Sequence, residues 1–160
     1  MNPSVASGPV DAPPAPPAPS APPGPLAQRL GYAGLLPFVA GALLVWLVRA
    51  DVQAYAALAL SIYAALILSF LGGMHWGLAM RQTAPSAAAL VWGVATPLVA
   101  WPAALMPPDA GLVVHGLMFI VCYAVDRRLY PLQGVAGWLT LRFRLSAVAA
   151  LACFLGAAGS

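Results

Sequence analysis

Between Ala54 and Met80 the chain runs for 27 residues without one charged side chain. At 1.5 Å per residue such a run is ample to cross the roughly 30 Å hydrocarbon core of a bilayer as a helix. Four more apolar segments accompany it, at about Leu30–Val48, Ala87–Met106, Ala110–Val125 and Leu139–Ala158. Pro85, Pro107 and Pro108 punctuate the connections between them. The fourth segment is short, and the fifth needs the Trp138–Phe143 stretch to reach across. Only 7% of the 160 residues are charged, and there is no lysine or glutamate. A water-exposed surface needs several times more, since soluble domains average about 25% charged residues. The expected fold class is therefore all-α, a polytopic membrane bundle of about five transmembrane helices occupying residues 26–160.

Residues 1–25 hold ten prolines among alanine, serine and glycine. That composition has too little apolar surface to fold, and a disordered Pro/Ala-rich tail is expected there. It lacks the basic start and apolar middle of a secretory signal. Cys122 and Cys153 lie in apolar segments with no C-x-x-C spacing, so buried, inert thiols are expected.

The net charge of +3 has an explanation in topology rather than in nucleic-acid binding. Five spans put Arg29, Arg81, Arg127, Arg128, Arg142 and Arg144 on the side of the N-terminus and only Arg49 on the other. The positive-inside rule then predicts a cytoplasmic N-terminus and an external C-terminus. Tyr130, Trp138 and Phe143 stand among the arginines of the Asp126–Arg144 stretch, a mixture suited to the headgroup layer.

The second span carries small residues every four positions: Ala57, Ser61, Ala65, Ser69, Gly73 and Gly77. Small residues at this spacing let helices approach closely in lipid, and this row is the expected packing seam. His75 lies about 200° around the helix from Gly73, on the opposite side. The Gly72–Gly73 pair, with Ser69 upstream, can also loosen the helix there. In the third span Pro97 and Pro102 should kink the helix and free the carbonyls of Gly93 and Leu98. In the fourth, His115 and Asp126 fall within about 20° on one face, with Cys122 between them.

A histidine within a membrane span is a functional hypothesis by default. His75 sits about 8 Å from one membrane face and His115 a similar distance from the other, leaving about 14 Å between them. One haem iron cannot take both, so no haem, and no other cofactor or metal, is expected. Asp126 ends near the level of His75. Two partnerships are open to it: the adjacent Arg127 and Arg128, or His75 across the bundle. The chain has no phosphate-binding loop, dinucleotide fingerprint, zinc-protease helix or serine nucleophile motif, so no enzyme is expected.

The segments Leu30-Gly-Tyr-Ala-Gly-Leu-Leu-Pro-Phe38, Ser69-Phe-Leu-Gly-Gly-Met-His-Trp-Gly77 and Tyr123-Ala-Val-Asp-Arg-Arg128 resemble the family of small polytopic proteins related to transmembrane protein 69. The resemblance runs from about Leu30 to the C-terminus and implies a multi-span inner-membrane protein without assigned chemistry. It places His75, Trp76, Asp126, Arg127 and Arg128 at motif positions. Together these features predict an accessory or assembly component whose partners are the lipid bilayer and another membrane protein or a second copy. The alternatives are a small proton-coupled transporter or channel using His75 and Asp126, and a redox subunit holding haem or quinone.

Overall fold

The structure, a computed structural model, describes residues 20–160; residues 1–19 of the expected tail lie outside the described part. Every regular element among the described residues is a helix, with no strand. In chain order the helices are α1 (Pro25–Ala33), α2 (Leu36–Leu47), α3 (Ala50–Ala79), α4 (Ala87–Leu105), α5 (Pro108–Leu132) and α6 (Leu139–Gly159). A short 3-10 turn, Ala136–Trp138, leads into α6. Five units are long and apolar enough to cross a membrane: α1 with α2, then α3, α4, α5, and the turn with α6. The protein is a multi-pass membrane helix bundle.

The first span is broken where the sequence suggested one continuous helix. Pro37 cannot donate a hydrogen bond and its ring crowds the preceding turn, so α1 stops at Ala33 and α2 restarts at Leu36. The Tyr63 hydroxyl of α3 donates to the Gly34 carbonyl at the break, 2.8 Å away. A carbonyl that would be orphaned in hydrocarbon is thereby satisfied from a neighbouring helix.

α3 is the centre of the bundle and packs on α2, α4, α5 and α6. Its buried stripe is Ala57, Leu60, Ser61, Ala64, Leu68, Leu71, Gly72, His75 and Ala79. The expected small-residue seam coincides with this stripe only at Ala57 and Ser61. A step of four residues is 400°, so the row advances about 40° per step and winds off the buried face. By Ser69, Gly73 and Gly77 it has turned outward, and all three are exposed. A Cβ added at Gly73 or Gly77 would meet nothing within 4 Å. The glycine that brings helices together is Gly72, where a Cβ would run into Thr96 Oγ1 and the Gly93 carbonyl of α4.

α4 stays helical through Pro97 and Pro102. The Thr96 hydroxyl lies 3.1 Å from the Trp92 carbonyl and 3.4 Å from that of Gly93, the group Pro97 leaves free. α5 is 25 residues long, not the short segment its apolar core suggested. It carries Asp126, Arg127, Arg128 and Tyr130 inside the helix, because charges at a membrane boundary need not end it. The connection to α6 is therefore brief, and Gly134 makes its turn with φ of 72°, a left-handed conformation open to glycine. At this end the chain entering α1 lies against the turn, with the Gly137 amide donating to Ser20 Oγ at 2.6 Å. At the other membrane face the Trp46 indole donates to the Leu155 carbonyl at 3.0 Å, joining α2 to α6.

A buried ionic cluster as the candidate functional site

Three helices each send one polar side chain to a common point. His75 comes from α3, Asp126 from α5 and Arg142 from α6, and they are 2%, 1% and 6% exposed. Each lies on the stripe its helix turns inward, so helical periodicity alone delivers it to the interior. His75 Nε2 donates to Asp126 Oδ1 at 2.9 Å. Arg142 donates from both Nε and Nη2 to Asp126 Oδ2, at 2.9 and 2.7 Å. Both carboxylate oxygens are thus engaged, each from a different helix. The hydrogen bond assigns the ring proton of His75 to Nε2, and its Nδ1 has no partner. The Tyr130 ring, one turn beyond Asp126, closes the far side at 5.9 Å from the imidazole centroid.

His75 ends four residues before the end of α3, and Arg142 follows the start of the 3-10 turn by six. The cluster therefore sits some 6–9 Å along these helices from their ends on the side of the tail. A carboxylate there is tolerable because it is paired and hydrogen-bonded on both oxygens. The guanidinium cancels its charge, and the imidazole adds a second anchor. The arrangement links α3, α5 and α6 through one atom group, with the His75 Nδ1 lone pair left unengaged.

Of the residues singled out from the sequence, His75 and Asp126 meet. Trp76 turns the other way and donates its indole N–H to the Leu90 carbonyl at the start of α4, 3.1 Å away. Arg127 and Arg128 are exposed and make no ion pair with Asp126. Adjacent residues on a helix point about 100° apart, so neither can turn back onto a side chain facing the core. The partner of Asp126 is Arg142, which sequence reasoning had counted only as a topological charge. A signal existed: Asp126 and Arg142 lie eight residues either side of Gly134, which is where a tight antiparallel hairpin brings two side chains level.

A second polar contact lies deeper along α5. His115 is fully buried between Ser61 Oγ at 3.3 Å from Nδ1 and the Ala100 carbonyl at 3.1 Å from Nε2. It ties α3, α4 and α5 and stands apart from the first cluster. Among the described residues no three histidine, cysteine, aspartate or glutamate side chains are grouped to hold a metal ion.

Fold and site define a polytopic helical membrane protein with a buried ionic centre. The chain belongs to the family described as Protein of unknown function (DUF3429), whose model matches residues 24–158, from the residue before α1 to the last turn of α6. It is also similar to Transmembrane protein 69 of Xenopus tropicalis, 38% identical over 112 residues. That match covers 66% of this chain and 43% of the relative, so the chain spans less than half the length of that protein. No solved structure matches the chain.

Proposed function

We propose that the protein is a non-catalytic accessory or assembly component of a bacterial inner membrane, with its N-terminus in the cytoplasm, acting by packing against another transmembrane helix. The observation that carries this reading is the double anchoring of Asp126, whose two carboxylate oxygens are held from two other helices. Asp126, Arg142, His75, His115 and Ser61 are all engaged with one another or with backbone, which suits a rigid scaffold. A proton-coupled carrier is less well supported, since it needs Asp126 free to change partners while Arg142 holds it by two hydrogen bonds. On the outer face of α3, Gly73 and Gly77 lie in open space beyond the exposed Leu66 and Phe70, a stretch of low relief. A helix of a second copy fits such a stretch by close backbone approach.

Cross-linking in native membranes before solubilisation tests this. The wild type is expected to run as a dimer or larger, and the Gly73→Ile, Gly77→Ile double variant as a monomer of undiminished thermal stability, because neither side chain meets anything within its own bundle. A wild type that stays monomeric in the membrane contradicts the proposal.

The orientation rests on the exposed arginines. Arg29, Arg81, Arg127, Arg128 and Arg144 lie towards the tail side, whereas Arg49 on the other side is paired with Asp51 at 3.3 Å. Reporter fusions are expected to place the C-terminus outside and the N-terminus inside. Both termini in one compartment would contradict five spans.

A further inference from the structure

A cavity of about 390 Å³ opens between α1, α2, α3, α5 and α6, within the size range of small-ligand pockets. Phe38, Leu71, Met74 and Phe119 form much of its wall. Its polar side chains, apart from the Trp138 indole at one end, are Arg142 and Ser146. These two stand one helical turn apart on the same face of α6. Ser146 is 4% exposed and its Oγ has no hydrogen-bond partner. A serine hydroxyl in a helix ordinarily satisfies itself on the carbonyl four residues back, and this one does not. In a hydrocarbon setting an unpartnered hydroxyl is unfavourable, so the cavity calls for a guest that hydrogen-bonds. Arg142 donates to Asp126 through Nε and Nη2, and its Nη1 takes no part in that pair.

We infer that this cavity binds the head group of an isoprenoid quinone, its carbonyl oxygens accepting from Ser146 and Arg142. Charge selects the class of guest. The guanidinium is already neutralised by Asp126, so a fatty-acid carboxylate would bring an uncompensated charge into the bundle. A quinone ring is flat, uncharged and carries acceptors, and it finds an aromatic wall in Phe38 and Phe119, whose rings meet edge to face at 5.5 Å. Leu30 and Phe70 line the same cavity and are each 64% exposed, which opens it sideways to lipid where a prenyl tail can leave.

The test uses the full chain in nanodiscs of quinone-free phospholipid, titrated with a short-chain benzoquinone. Bound quinone is extracted and measured by its ultraviolet absorbance. Saturable binding of one quinone per chain, above that of empty discs, is expected. Ser146→Ala removes a hydroxyl that makes no bond in the protein, so its thermal stability should be unchanged while binding weakens roughly three- to tenfold. Ala27→Phe places a bulky ring on the cavity wall from the partly exposed α1 and should abolish binding with the bundle intact. Oleate should not displace the quinone. Uptake no greater than empty discs, wild-type affinity in both variants, or equal displacement by oleate would overturn the assignment.

Discussion

Asp126→Asn is expected to destabilise the protein by about 3–5 kcal/mol, seen as a lowered unfolding midpoint in detergent or nanodiscs. The substitution keeps the shape of the side chain but removes its charge, leaving the Arg142 guanidinium buried and uncompensated. It also replaces an oxygen by an amide N–H that faces one of two donors, His75 Nε2 or the guanidinium. A bundle with total stability of about 5–15 kcal/mol would lose much of it. His75→Leu should do less. It removes one charge-assisted hydrogen bond, worth about 1.5–3 kcal/mol, and leaves the Asp126–Arg142 pair in place. An order of effects with His75 ahead of Asp126 would mean that the imidazole, and not the guanidinium, holds the carboxylate.

Gly72→Ala and Gly73→Ala, one residue apart, should behave oppositely. At Gly72 the new methyl meets Thr96 Oγ1 and the Gly93 carbonyl, a backbone atom that cannot swing aside. α3 and α4 must separate, at a cost of about 1–3 kcal/mol. At Gly73 the methyl points into open space, and the gain from replacing a helical glycine is about 0.5–1 kcal/mol. Thermal melts of the two variants beside the wild type decide it. Equal destabilisation would mean that Gly73 too packs against a helix of its own bundle, and equal tolerance that the α3–α4 approach is looser than described.

The number of spans was legible because each apolar run is long and almost free of charge, a signal that survives errors of a few residues at either end. Helix ends were less legible. α5 passes through Asp126, Arg127 and Arg128 to Leu132, since hydropathy falls where the helix leaves the hydrocarbon core while its hydrogen bonds continue. The interruption at Gly34–Leu35 had its cause in plain view at Pro37, but proline is also tolerated in the first turn of a helix, and sequence does not say which applies. The small-residue row misled because a spacing of four tracks one helix face for only about two turns. The buried stripe obeys 3.6 and includes Leu60, Leu68 and Leu71 as well as small residues.

The candidate site was legible in its His75 and Asp126 members, because polar groups in an apolar span must face inward. Arg142 was hidden by the positive-inside count, which treats every arginine near a span end as facing solvent. Its burial depends on the short turn around Gly134, and that turn became apparent only with the true length of α5. Ser146 gave no signal at all: a serine in an apolar helix usually bonds its own backbone, and only the packed structure leaves it facing a cavity.

The most direct measurement is a double-mutant cycle on Asp126→Leu and Arg142→Met, read as unfolding free energy in nanodiscs. If one neutral pair joins α5 to α6 at the heart of the bundle, each single variant strands a charge or a donor in hydrocarbon and the double variant recovers most of the loss. A coupling on the order of 2 kcal/mol or more is predicted. Losses that simply add, within about 0.5 kcal/mol, would mean the two side chains do not depend on each other and would contradict the account.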